Sequence, residues 1–186
     1  MVKIIGIFLL LGLVTLTAAA QKGSTAILNL GGEWVIQKPK VQKVDGVNKR
    51  TILKLIIEDG EPEIKITEYR TVETLDAKGD PSEKKDSEPV VKIYYTDYRG
   101  ETNSYEDGIK YKSQTTRPKN SLFIRRYDQE KNQTTLITFY VSEDRRKLTI
   151  SSKTIAKIDR IDMEPGQILP FKTTEGPKEV FTRVTK

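Results

Sequence analysis

The sequence has no cysteine and no histidine in its 186 residues. Without cysteine there are no disulfides, no thiol nucleophile and no thiolate metal site, so the fold must be held by its core alone. Without histidine there is no Ser-His-Asp or Cys-His machinery, no zinc site of familiar composition and no side chain that changes charge near neutral pH. A hydrolase made of these residues would have to work with carboxylates, lysine or tyrosine. Helical periodicity is lacking too: from Leu28 onward no stretch keeps its apolar residues at a helical period for three turns.

What is present is a solvated globular composition, 36% hydrophobic and 31% charged, with a mean hydropathy of -0.52 and a length that suits one domain. The exception is the N-terminus, where Lys3 precedes an apolar run from Ile4 to Val14, followed by Thr15, Leu16, Thr17 and three alanines. That is the pattern of a signal peptide, and Ala18 and Ala20 place cleavage between Ala20 and Gln21. A membrane anchor is the weaker alternative, since about 20 apolar residues are needed to cross a bilayer. No cysteine follows the run, so a lipoprotein anchor does not apply. The expected organisation is a signal peptide over residues 1–20 and one domain over 21–186. The product is expected to be exported, periplasmic or secreted, without a stable membrane anchor after cleavage.

The formal charge of +6 is spread along the chain and speaks for solubility before it speaks for a partner. Lys38 to Arg50 and Arg117 to Arg126 are the most basic stretches, but each is too short for the one-signed stripe that nucleic acid requires. They read as solvated loop and strand faces, and no nucleic-acid partner is expected. Oligomeric state leaves no mark on the sequence. Asn132-Gln133-Thr134 is a glycosylation sequon, meaningful only in a eukaryotic secretory route.

Period-two alternation rich in Ile, Val, Thr and Tyr predicts strands at Leu30–Gln37, Thr51–Glu58, Glu63–Thr74, Val90–Thr96, Ile109–Thr116, Ser121–Tyr127, Thr134–Ser142, Lys147–Thr154 and Glu179–Thr185. Between the second and third, Glu58-Asp59-Gly60-Glu61-Pro62 predicts a hairpin turn with Gly60 at positive φ. Short links at Arg117–Asn120, Asp128–Asn132 and Glu143–Arg146 join four successive strands into a meander. Asp76–Pro89, almost without apolar side chains, reads as a mobile loop, and Lys38–Arg50 as a loop partly ordered over its valines. Over residues 155–176, Ile158, Ile161 and Met163 suit either one helical turn or a continued strand, and Pro165, Pro170 and Pro177 limit both. The expected fold is all-β, an antiparallel up-and-down β-barrel of about eight strands, with a two-sheet β-sandwich as the alternative.

Gly32-Glu33-Trp34-Val35-Ile36 resembles the G-x-W opening of lipocalins and their relatives, in which the Trp closes one end of the barrel. The stretches Ile93–Asn103, Tyr111–Thr115, Leu122–Arg126 and Val141–Ile150 are similar to exported lipocalin-like (calycin-type) bacterial proteins, common in Acidobacteria, most of which have no assigned activity. The resemblance spans about Gly31 to Ile150 and implies a lipocalin-like barrel of bacterial origin; it supplies no catalytic residue. Tyr98 and Arg145 stand where that group has turn glycines, and Arg117 or its neighbour stands where it has an aromatic.

Among candidate chemical groups, Glu58, Asp59, Glu61 and Glu63 cluster on a hairpin turn, where carboxylates are ordinarily solvated. Asp97, Glu101, Asn103 and Asp107 offer oxygen ligands, but their spacing matches no EF-hand loop and turn formation is the better role. No metal and no cofactor is expected. Trp34 is expected in the core as the barrel-closing residue. On Glu63–Thr74 the face carrying Ile64 and Ile66 continues with Glu68 and Arg70, and Tyr111, Ser113 and Thr115 follow Ile109 on one face. Either these strand ends emerge at the barrel mouth, or they line a polar-walled ligand cavity whose contacts are Glu68, Arg70, Tyr111 and Arg126.

The leading expectation is an exported, non-enzymatic binding module for a small apolar or amphipathic ligand. The alternatives are a packed-core structural or protein-interaction domain of the cell envelope, and a histidine-free enzyme using carboxylates or tyrosine. N-terminal sequencing of exported protein is expected to begin at or near Gln21; a mature product that retains Ile4–Val14 would overturn the export reading.

Overall fold

A computed structural model describes the chain at residues 29–105, 108–157 and 171–185. The signal-peptide segment, Asp107 and most of the unassigned stretch 155–176 lie outside the described residues. Every regular element among the described residues is a strand. In chain order these are β1 (Gly32–Ile36), β2 (Lys40–Val44), β3 (Val47–Asp59), β4 (Glu63–Leu75), β5 (Pro81–Asp86), β6 (Val90–Tyr95), β7 (Glu101–Ser104), β8 (Lys110–Thr116), β9 (Ser121–Asp128), β10 (Gln133–Val141), β11 (Lys147–Lys157), β12 (Phe171–Glu175) and β13 (Glu179–Arg183).

Three long strands each carry two short partners in line. β3 takes β1 and β2, β4 takes β5 and β6, and β11 takes β12 and β13. The thirteen segments therefore act as ten rungs, more than the nine runs that alternation picks out. All pairings are antiparallel between rungs consecutive in sequence, and β1 also pairs β13, joining the first rung to the last. The fold is thus an up-and-down antiparallel sheet curled into a barrel, as expected. Its ladder is interrupted between β6 and β7, and β2 and β12, the other halves of the rungs that β1 and β13 join, do not pair with each other.

Nine strands coincide with the predicted runs. The four others, β2, β5, β7 and β12, are short and polar. Every residue of β2 and β5 is exposed, so neither has a buried face to impose alternation on its sequence. Asp76–Pro89, read as a loop, thus holds β5 on the far half of β4, and Lys38–Arg50 holds β2 on the near half of β3. The turn after β3 also differs from expectation. Gly60 stays outside the left-handed region and the Glu61–Pro62 bond is cis. Tyr98 and Arg145, at the positions where the resemblance expects turn glycines, have positive φ, at 64° and 57°, a conformation disfavoured for any residue with a Cβ.

Side chains pointing inward follow one gradient on every long strand. β4 runs Ile64, Ile66, Glu68, Arg70; β9 runs Leu122, Ile124, Arg126; β10 read backwards runs Val141, Phe139, Ile137, Thr135; β11 runs Leu148, Ile150, Ser152, Thr154. The registers align these sequences, with Ile57 facing Ile66, Leu122 facing Phe139 and Val141 facing Leu148. One end of the barrel is therefore apolar and the other polar.

The apolar end is packed shut. Trp34 is fully buried there among Leu30, Leu55, Ile57, Ile64, Leu122, Leu148 and Phe181. Its indole Nε1 donates to the Leu30 carbonyl at 3.0 Å, and the Arg183 guanidinium lies 5.1 Å from its ring while donating to the Gly31 carbonyl. Beside it Arg117 makes a two-pronged ion pair with Asp59, their side chains 6% and 2% exposed. Asp59 also accepts the Leu30 amide. This corrects two expectations: Asp59 is not a solvated turn carboxylate and Arg117 does not belong to a solvated face. Each was misread because a buried ion pair between residues 58 positions apart leaves no periodic trace.

Trp34→Ala is expected to destabilise the protein by about 3–5 kcal/mol, the range for truncating a buried large aromatic. Denaturant titration checks this, and a loss below about 1 kcal/mol would mean that Trp34 does not anchor the closed end.

Candidate functional site

The interior stops being apolar about halfway along the barrel, and a cavity lies at that boundary. Its volume is about 220 Å³, with Leu53, Leu55, Ile66, Ile137, Phe139, Ile150 and Phe181 on its apolar side and Glu68, Arg70, Lys92, Tyr94 and Tyr105 on its polar side. A second chamber of about 240 Å³ adjoins it toward the mouth, sharing Leu53, Arg70 and Glu179 and adding Thr51, Lys40 and Gln42. Strand pairing fixes these positions: Arg70 faces Leu53 and Glu68 faces Leu55 across β3–β4, while Lys92 faces Ile66 and Tyr94 faces Ile64 across β4–β6.

The polar side is one connected network. Glu68 accepts from Arg70 at 3.3 Å and from Lys92 at 3.2 Å. Lys92, with a side chain only 13% exposed, sits 4.8 Å from the centre of the Tyr105 ring. Tyr105 meets Tyr111 edge to face at 5.3 Å, and the Arg126 guanidinium lies against both rings, at 4.6 and 4.3 Å. The hydroxyls of Tyr94 and Tyr105 are 3.5 Å apart. Burial, reinforced by Tyr105, pushes the Tyr94 hydroxyl well above the ordinary tyrosine range, so it remains a neutral donor. Among the described residues, no carboxylate lies within ion-pair distance of Arg126, whose positive charge rests on two aromatic faces.

All four residues singled out from the sequence belong to this network. Glu68 and Arg70 line the cavity itself, while Tyr111 and Arg126 form a second layer behind Tyr105. Arg126 is therefore an inward residue of β9 and not part of a solvated face. Sequence reading missed Lys92, Tyr94 and Tyr105. Period two places Lys92 and Tyr94 on one side of β6, but nothing local says that this side is the inner one. Tyr105 lies between β7 and β8, outside any alternating run.

The gap between β6 and β7 forms the wall next to this network. The two strands are consecutive, joined by the turn Thr96–Gly100, and they face each other in hairpin register. Side chains take the place of a ladder. The Asn103 amide donates to the Ile93 carbonyl at 2.7 Å, and its carbonyl oxygen accepts the Ile93 amide at 2.8 Å. Glu101 accepts the Tyr95 amide at 3.3 Å through one oxygen and the Ser113 and Thr115 hydroxyls at 2.7 Å through the other. Two of the residues weighed as oxygen ligands thus have structural partners. Asp97, a third, is held by Arg99, and Asp107 lies outside the described residues. Outside the seam runs an open groove of about 940 Å³ bordered by Val91, Ile93 and Tyr95 of β6 and by Thr102, Lys112, Arg125 and Tyr127 from the other side; Glu101, Asn103 and Ser113 line it too.

No protein-family model matches the chain, and no curated protein is significantly similar to it. Among solved structures it is similar to fatty-acid-binding protein 1 of Echinococcus granulosus, with a TM-score of 0.48 and 12% identity over 84% of this chain and 98% of that one. A mutant of the fluorescent protein UnaG gives a TM-score of 0.44 and 14% identity over 84% and 97% of the respective chains. Secretory abundant heat soluble protein 4 from Ramazzottius varieornatus gives 0.43 and 14% over 83% and 94%. Likeness at this level carries no functional inference.

The network predicts an asymmetry between its two Glu68 partners. Lys92→Met is expected to cost about 2 kcal/mol, because it strips a nearly buried carboxylate of a nearly buried cation. Arg70→Met is expected to cost about 1 kcal/mol or less, since Arg70 is partly solvated and Glu68 keeps Lys92. Chemical denaturation of the two variants checks the order, and the reverse order would mean that Arg70 is the principal partner.

Proposed function

We propose that this chain is an exported, non-enzymatic binding module whose barrel holds a small amphipathic ligand bearing a negative charge. The observation that carries this reading is the cavity at the boundary of the interior gradient, apolar on one side and lined on the other by Arg70, Lys92, a neutral tyrosine hydroxyl and the carboxylates Glu68 and Glu179, with Arg126 behind them. Pockets of this kind, mostly apolar with a few convergent polar groups, are what small-molecule sites look like. Three cations, Arg70, Lys92 and Arg126, stand there with two carboxylates, Glu68 and Glu179, and a surplus of positive charge favours an anion.

Volume sets the ligand's size. Each of the two chambers, of about 220 and 240 Å³, is smaller than ordinary ligand sites, which run from about 300 to 1,000 Å³, and only together do they enter that range. A ring system or a short chain with its charged group near Arg70 fits that space better than a long acyl chain. Export is supported by the apolar run Ile4–Val14 and the Ala18-x-Ala20 cleavage pattern, and the Gly31–Ile150 resemblance favours a bacterial source.

Fluorescence titration with anilinonaphthalene sulfonate and with neutral phenylnaphthylamine tests the reading. Wild type is expected to bind the sulfonate. Arg70→Met and Arg126→Met are each expected to weaken it roughly tenfold, the worth of one charge-assisted contact, with little change for the neutral dye or for stability. Failure of the wild type to bind either dye would leave the barrel as a packed scaffold and end the binding reading.

A further inference from the structure

Among the described residues the β6–β7 seam is the one pair of neighbouring rungs with no backbone ladder at all between them, so that stretch of the wall is closed by side chains. Resting on the binding reading above, we propose that the outer groove astride this seam is a second ligand site, where the anionic amphiphile first docks and from which it passes into the barrel when the seam parts.

Three features converge on this. The first is mechanical. β6 and β7 form a splayed hairpin hinged at the Thr96–Gly100 turn, bridged first by Glu101 to Tyr95 and then by Asn103 to Ile93. Beyond Asn103, among the described residues, no further bond crosses between the two strands. Parting the seam therefore breaks a few side-chain hydrogen bonds and leaves the β4–β6 and β7–β8 ladders intact, whereas parting any other pair of rungs breaks a backbone ladder.

The second is position. Glu101, Asn103 and Ser113, whose bonds close the seam, also line the groove, so the groove reaches down to the latch. Directly behind the wide end of the seam stand Lys92 on β6 and Tyr105 just after β7, both lining the cavity. A ligand leaving the groove meets the polar side of the cavity first.

The third is charge. On the groove side, Lys112 of β8 and Arg125 of β9 are separated by one row of the ladder, and no carboxylate among the described residues pairs with either. Of the groove's neighbouring carboxylates, Asp97 is held by Arg99 and Glu101 by three donors. Exposed Tyr127 and half-buried Tyr95 add aromatic faces, and Val91 and Ile93 an apolar strip. The groove thus matches the cavity in kind: cations, aromatic rings and an aliphatic wall. Along β8 and β9 the outer residues Lys112 and Arg125 adjoin the inner residues Tyr111 and Arg126, so a cationic field spans the wall and draws an anion inward.

Stopped-flow fluorescence with anilinonaphthalene sulfonate tests the proposal. The chain has no cysteine, so Val91→Cys with Ser104→Cys places the sole thiols on opposite sides of the groove, where a short bis-maleimide ties the seam. Tying is expected to slow association and dissociation by about tenfold or more while leaving affinity within about twofold, as for a barrier raised without a change of end states. Asn103→Ala, which removes the latch, is expected to speed both rates. Lys112→Gln with Arg125→Gln is expected to slow association severalfold and flatten its salt dependence, with dissociation unchanged. Rates that do not respond to the tie or to Asn103→Ala overturn the passage, and association indifferent to Lys112 and Arg125 overturns the docking site. In both cases wild-type binding would still stand. Absence of dye binding to the wild type would instead remove the interior site on which the proposal rests.

Discussion

The barrel depends on one side chain standing in for a strand. A sheet that curls through ten rungs and stops short of closure leaves two facing edges, and edge amides and carbonyls that lose water need partners. A carboxamide carries the donor and acceptor of a peptide group on a short stem. Asn103 uses both on Ile93, donating to its carbonyl and accepting from its amide, so it reproduces one rung of an antiparallel ladder across a separation too wide for backbone. Glu101 completes the work one step nearer the turn, as an acceptor for a backbone amide and two hydroxyls. Aspartate at 103 would keep the acceptor and lose the donor, and leucine would lose both. The buried state of Asn103 is therefore the condition for closure and not an incidental cost.

Given closure, the interior divides by chemistry. At the Trp34 end, large apolar side chains from both halves of the meander interlock, and the Asp59–Arg117 pair ties the turn after β3 to the link before β9. Such a buried pair adds little net stability over an apolar substitute, yet removing one partner alone is costly. Its effect is to specify which loops meet beneath the barrel. Exposed pairs such as Lys65–Glu58 and Lys40–Glu179 contribute far less. At the other end the inward positions turn to Thr, Ser, Arg and Glu, and close packing gives way to the two chambers. Rigid base and hollow polar half are consequences of the same alternation read to the end of each strand.

How much of this the sequence discloses follows from which residues have a buried side. β4, β9, β10 and β11 were legible because their inner faces alternate cleanly, and Glu68, Arg70, Tyr111 and Arg126 were legible as polar continuations of those faces. β2 and β5 were not, since all their residues are exposed and nothing selects against a loop-like composition. Lys92 and Tyr94 sit in the run Val-Val-Lys-Ile-Tyr-Tyr, where both faces contain apolar residues, so inside and outside are not distinguishable until the pairing with β4 is known. The roles of Asn103 and Glu101 were hidden for a different reason. Both lie in a four-residue polar strand after a turn, and only the missing ladder across from them turns a turn-forming composition into a seam.

Three carboxylates turned away from solvent are engaged by the protein's own donors. A general base needs a carboxylate with a lone pair facing substrate and an environment that makes it accept a proton. Here Glu68 is divided between Arg70 and Lys92, Glu101 accepts from three donors, and Asp59 is enclosed by Arg117 and the Leu30 amide. Each has its oxygens engaged by these partners. Tyr94, one of the two tyrosines that line the cavity, is held by burial in the neutral form, and so is a hydrogen-bond donor and a poor nucleophile. Among the described residues, the cavity thus presents charges and donors already engaged with one another, Glu68 with Arg70 and Lys92 and the Tyr94 hydroxyl with that of Tyr105. This arrangement is in keeping with the binding role proposed above.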